Sequence, residues 1–229
     1  GARVILDRVT GIDPAARRVM LAQSAPVSYD VASVDIGIGS DLPHVTGFTA
    51  HGLAAKPLGG YAEGWDAFIA KGLAAPRLVI IGAGIGGVEL ALASAYRLRG
   101  AGAQPQITLL ERAQTVLPNI GKGARAALLG HLAQAGVQIV TGSEAQTLTP
   151  DAVHLSDGRV LPSDFTLSVA GARPQEWLAQ TGLTLHEGFL AVNPHLQTSD
   201  PQIFAVGDCA HLSHAPRPKA GVFAVREAP

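Results

Sequence analysis

Short, wholly apolar runs alternate with stretches of helical spacing through the middle of the chain. Leu78-Val79-Ile80-Ile81 is one such run, the pattern of a central parallel strand covered on both faces. Further strand runs stand at 106–110 and 137–140, and helical spacing at 86–99 and 124–135. This order predicts a parallel sheet with right-handed crossovers. Ahead of it, β-branched runs bounded by Gly, Pro and Asp predict strands within 3–9, 17–22 and 27–38, with no helix of useful length. Trp65, Phe68, Ile69 and Leu73 then predict a helix over 61–75, stopped by Pro76. From 144 to 170 the pattern turns antiparallel, with Asp157-Gly158 joining 152–155 to 159–161 as a hairpin and 165–169 returning as a strand. A short helix over 175–182 and a strand over 203–206, ending at Gly207-Asp208, complete the prediction. There is no internal repeat and no low-complexity tract.

Composition agrees with an α/β chain. Its 229 residues suffice for one large or two small domains, and 47% apolar against 15% charged residues suits a buried sheet. A net charge of −1 leaves no basic surplus for a run of phosphates, which excludes nucleic acid as an expected partner. Cys209 is the single cysteine, so no disulfide framework forms within the chain, as suits a reducing, cytoplasmic setting. The longest apolar stretch, 78–96, is rich in Gly and Ala and carries Glu89; it fits strand, turn and helix, and no transmembrane segment is expected. The chain begins at Gly1 without a methionine, from which a piece of a longer protein is expected.

The turn after Ile81 carries the candidate chemistry. Gly82-Ala83-Gly84-Ile85-Gly86-Gly87 contains G-x-G-x-x-G between an apolar strand and a helix. In a dinucleotide site Gly82 makes the tight turn, Gly84 lets the backbone approach a pyrophosphate, and Gly87 lets helix pack on strand. The helix that follows presents free N–H groups to the phosphates. A tight structural turn without a ligand also uses glycine. The next strand ends in Leu109-Leu110-Glu111, placing an acid where a ribose diol would sit. A 2′-phosphate beside that carboxylate meets repulsion of about 4 kcal/mol per unit charge at about 4 Å and an effective dielectric near 20, which favours NAD(H) over NADP(H). Arg112 opposes this, since it can turn to a phosphate. Cys209, His211 and His214 have short metal-ligand spacing, but a structural site needs four ligands, and no metal is expected. His186 and His195 fit surface positions, and Arg112, Lys122 and Arg125 fit a solvated face better than a phosphate cluster. With one cysteine, C-x-x-C redox chemistry is excluded within the chain.

These motifs together resemble the pyridine nucleotide-disulfide oxidoreductase superfamily of flavoprotein reductases. The glycine turn with Val88-Glu89 is one match. Val169-Ala170-Gly171-Ala172-Arg173-Pro174 resembles the segment closing the nicotinamide domain, and 198–210, through Gly207-Asp208, resembles the flavin-contacting stretch. Tyr29-Asp30 to Ser40 resembles "Y-D-x-L-x-x-A-T-G-S", with Ile36-Gly37-Ile38-Gly39-Ser40 in place of the usual ending. Together with Lys56-Pro57-Leu58 and 218–226, this is most similar to a branch like type II NADH dehydrogenases, some fused to selenophosphate synthases.

The resemblance implies a three-layer Rossmann-type nicotinamide-binding domain, a parallel sheet plus an antiparallel β-meander, with flanking strands of an incomplete FAD-binding domain. The divisions implied are 1–60, 61–197 and 198–229. Gly207 and Asp208 would contact the flavin, Gly171 would line the nicotinamide cleft, and Glu89 would lie near the nicotinamide ring. The implied activity is NAD(P)H-dependent and FAD-linked, passing hydride from nicotinamide to flavin and then electrons to a quinone or other small acceptor. The alternative is a nucleotide-sensing module fused to a selenophosphate synthase. The family's first dinucleotide turn is not found before Gly82, so little FAD binding, no turnover and self-association through uncovered apolar strands are expected of this chain alone.

Overall fold

In the computed structural model the strand–helix alternation forms as the apolar pattern requires; the residues described are 1–40, 42, 44–118 and 120–219. Gly52–Ala54 (β1), Arg77–Ile81 (β2), Gln106–Glu111 (β3) and Gln138–Thr141 (β4) are followed by Ala145–Leu148 (β5), Ala152–Leu155 (β6), Val160–Pro162 (β7) and Phe165–Ser168 (β8). The helices between them are Leu58–Ile69 (α1), Ile85–Gly100 (α2) and Lys122–Gln134 (α3). Among the described residues one sheet has the order β1-β8-β2-β3-β4, every pair parallel. β5, β6 and β7 form a separate antiparallel sheet.

Alternation along the parallel strands divides the core. Leu78, Ile80, Leu109 and Leu167 pack with Phe68 of α1, Val88, Ala91 and Ala95 of α2, and Leu132 of α3. Val79, Ile81, Leu110 and Val140 face the other way, onto Leu148, Val153 and Leu155 of the antiparallel sheet and onto Leu42, Val45 and Phe48. Helices, parallel sheet and antiparallel sheet are therefore three layers. Each fully buried Leu or Ile contributes about 1.5–3 kcal/mol. Arg77 fastens the start of β2 to the residue before β8: its backbone N–H and Nε donate to Asp164 Oδ2 at 2.9 and 3.0 Å, and its Nη2 pairs with Oδ1.

These layers make one compact unit, Gly39–Gly171; the other is Gly1–Ile38 with Ala172–Pro229. The second holds an antiparallel meander of Val9–Asp13, Arg18–Leu21 and Val27–Ser28. Ala32–Val34 pairs in parallel with Ile203–Ala205. Phe189–Val192 lies between Leu185–His186 and Ala210–Leu212. Val34, Leu190, Ile203, Ala205 and Cys209 form its core.

The structure corrects several expectations. The divisions at 60/61 and 197/198 do not coincide with the units. β1 takes its hydrogen-bond partners from β8, which draws 39–60 into the unit of the parallel sheet. Leu190 and Val192 pack on Ile203 and Ala205, which draws 172–197 into the other unit. The strand at 165–168 joins the parallel sheet although its predecessors are antiparallel. The helix expected over 61–75 is α1, Leu58–Ile69, because the amides of Lys71 and Gly72 turn back to Phe68 and Ile69, with Gly72 at φ 61°. The first strand runs Val9–Asp13 rather than within 3–9; Val4 and Leu6 are 77% and 96% exposed, so no burial holds that run extended.

Candidate dinucleotide site

The strand order reverses between β8 and β2, and ligands of open α/β sheets bind at the carboxyl ends of the strands at such a point. A cavity of about 390 Å³ lies there. Its walls are Ile81, Gly82 and Gly84 after β2, Leu110, Glu111 and Arg112 at β3, Ser143 to Ala145 after β4, and Val169 to Gly171 after β8, with Leu42, His44 and Val45 alongside.

The glycines of the turn serve different needs. Gly82 has φ 102°, and a Cβ there would sit 2.9 Å from the backbone of Ala170. A Cβ on Gly87 would sit 1.8 Å from the Gly82 carbonyl oxygen, so helix α2 reaches its strand only with glycine at that place. Gly84 is different: it caps α2, its φ is −71°, and a Cβ would meet nothing within 4 Å. No neighbour among the described residues excludes a side chain there. Beyond Gly84, the first amides of α2 lack helical partners, which gives that end partial positive charge.

Glu111 is half-buried at the end of β3. Its Oε2 accepts from the Ala83 N–H at 2.8 Å, and its Oε1 from the Ala113 N–H at 2.9 Å. Arg112 is exposed on the cavity wall, as is Gly171, whose φ is 75°. Gly82, Gly84, Glu111, Arg112 and Gly171 are therefore brought together. Gly87 lies buried behind the turn. Glu89 is exposed on α2 and is not among the cavity residues. Gly207 (φ 67°) and Asp208 begin a short 3₁₀ turn in the other unit. Sequence reasoning missed His44, Ser143 and Glu144. Ser143 and Glu144 follow a parallel strand, a position that signals a site; His44 carries no local signal.

The remaining candidates have other surroundings. Cys209 is buried, its thiol directed at the carbonyls of Val34 and Val206 at 3.4 and 3.2 Å, and burial pushes its pKa up. His211 stacks on His186 with ring centroids 3.8 Å apart, while His195 and His214 are exposed. Among the described residues no group of three or more His, Cys, Asp or Glu side chains is arranged to hold a metal ion. Arg125 donates to the Val116 carbonyl at 2.9 Å, and Lys122 is exposed at the start of α3. No helix among the described residues is long and apolar enough to cross a membrane. Residues 220–226, part of the segment resembling selenophosphate-synthase fusions, lie outside the described residues.

Comparison with known proteins gives the family and the fold. The sequence model of the family described as pyridine nucleotide-disulphide oxidoreductase matches residues 1–228. Terpredoxin reductase of a Pseudomonas species is 32% identical over 223 residues, covering 92% of this chain and 51% of that protein. Putidaredoxin reductase of Pseudomonas putida is 38% identical over 147 residues, covering 59% of this chain and 33% of that protein. The ferredoxin reductase for the CYP199A2 system of Rhodopseudomonas palustris has the same fold, with a TM-score of 0.80 and 24% identity over 98% of this chain and 56% of its own. The chain thus spans about half or less of the relatives' length.

Proposed function

Because the chain belongs to the pyridine nucleotide-disulphide oxidoreductase family, an α/β family of oxidoreductases, we propose that the cavity at Gly82–Gly84 binds NAD(H). The observation that carries this is Gly84. It faces open space at the head of α2, so its lack of a side chain is explained by a ligand approaching the backbone rather than by packing. The amides at the start of α2 would receive the pyrophosphate, and Glu111 would accept the ribose hydroxyls. The cavity's polar edge and bare turn fit that ligand. Bound NADH supplies a hydride. The chain's part is to bind, orient and exclude water, with Gly171 and Val169 lining the wall.

For the whole protein we propose an NADH-dependent, FAD-linked reductase. Gly207 and Asp208 would contact the flavin, and Glu89 would stand near the nicotinamide end. The relatives are named as reductases of terpredoxin and putidaredoxin, which supports a small redox protein as electron acceptor over a quinone. With one G-x-G-x-x-G in the sequence, we propose that this chain by itself takes up nicotinamide nucleotide but little FAD. Titration with NADH and NADPH tests the cofactor: NADH binds at least about tenfold tighter, a difference of about 1.4 kcal/mol. Equal or tighter NADPH binding overturns the assignment.

A further inference from the structure

Glu111 faces the glycine turn with its carboxylate already engaged. Ala83, the residue between Gly82 and Gly84, is 1% exposed, and its N–H donates to Glu111 Oε2 at 2.8 Å. The preceding amide, Gly82 N–H, donates to the Leu110 carbonyl at 2.8 Å. Two consecutive amides of the turn thus end on consecutive residues of β3. The other carboxylate oxygen accepts from Ala113 N–H at 2.9 Å, and the Ala113 carbonyl accepts from Gly142 N–H at 3.1 Å. One side chain therefore joins the loops after β2 and β3, and through Ala113 the loop after β4.

We infer that Glu111 is a positioning residue for the dinucleotide turn: it shapes Gly82-Ala83-Gly84 before any nucleotide arrives and is itself held in place by the same bonds. A carboxylate offers about four acceptor directions, so two amides leave two for a ribose diol. Anchored through both oxygens, it does not swing away from a 2′-phosphate. Discrimination against that phosphate is built into the nucleotide-free protein. The nucleotide part of this inference rests on the reading of the cavity as an NAD(H) site; the positioning part does not.

The test is Glu111→Gln, which keeps the shape but offers one acceptor oxygen and sets an NH₂ against the other amide. In the nucleotide-free chain, hydrogen exchange at the Ala83 amide rises at least about tenfold, as loss of a charge-assisted bond predicts. NADH affinity falls by a similar factor, and the preference for NADH over NADPH narrows because the repelling charge is gone. Unchanged Ala83 exchange overturns the inference in favour of a residue that only reads the ribose. If neither protein binds nucleotide, the cavity reading fails and Ala83 exchange still decides the positioning role. Wild-type protein gives a measurement that does not depend on the variant folding. In the nucleotide-free protein a through-hydrogen-bond NMR coupling joins the Ala83 amide nitrogen to the Glu111 carboxyl carbon, as the 2.8 Å bond requires; its absence overturns the inference.

Discussion

Gly84 and Gly87 belong to one motif, yet the protein constrains them differently. Gly87 has no room, since its Cβ would lie 1.8 Å from a backbone oxygen, whereas Gly84 has room with nothing within 4 Å. Gly87→Ala should therefore destabilise the chain by about 1–3 kcal/mol, the usual cost of overpacking, and abolish nucleotide binding with it. Gly84→Ala should leave the melting temperature unchanged and weaken NADH binding at least about tenfold. Thermal melting beside nucleotide titration separates the two, and a Gly84→Ala variant that binds NADH normally would argue against close approach of the pyrophosphate. At this scale the glycines and Glu111 were legible in sequence because their spacing is local. That Glu111 bonds the turn itself was not, because Ala83 and Glu111 meet only when β2 and β3 pair. His44 reaches the cavity without any pattern around it.

The elements followed the apolar pattern where burial was two-sided and departed from it where partners were distant. Helices α2 and α3 and strands β2 to β4 lie close to their predicted positions, and the Asp157-Gly158 hairpin joins β6 to β7. The pattern does not predict strands 185–186, 189–192 and 210–212: all are short, 185–186 and 189–192 form a tight hairpin over Glu187-Gly188, and 210–212 joins 189–192 from farther along the chain. Their pairing stacks His186 on His211. Desolvation, followed by the neighbouring His186 and Lys219, lowers the His211 pKa from its ordinary 6.5, with Glu187 opposing. Lys219 lies over the Phe189 ring at 4.2 Å and reaches the Ala210 carbonyl, on the same small sheet. A histidine with a depressed folded pKa contributes stability above its unfolded pKa. As the pH falls below about 6.5 the unfolded chain takes the proton first, and stability declines until the folded pKa is passed. The melting temperature should thus fall more steeply between about pH 7.5 and 5.5 in wild type than in His211→Gln. Parallel slopes would mean the stacked pair has no part in acid sensitivity.

For the whole molecule, the division into units predicts where a ligand acts. Every residue lining the cavity belongs to Gly39–Gly171. NADH at saturation should slow hydrogen exchange in that unit, at the Gly82–Gly87 turn and the ends of β3 and β8, by stabilising the state that binds it. Exchange mapping by mass spectrometry checks this, and protection confined to Val9–Asp13 and Ile203–Ala205 would place the site elsewhere. By itself, the sequence determined the α/β class, the parallel strands β2 to β4 and the glycine turn, because each depends on periodicity and spacing within a few tens of residues. Only the tertiary structure decided that β8 enters the parallel sheet, that 39–60 and 172–197 join different units from those expected, and that Glu111 bonds the turn it faces. Those outcomes depend on which distant segments satisfy one another's backbone groups and apolar faces, and no local pattern carries that information.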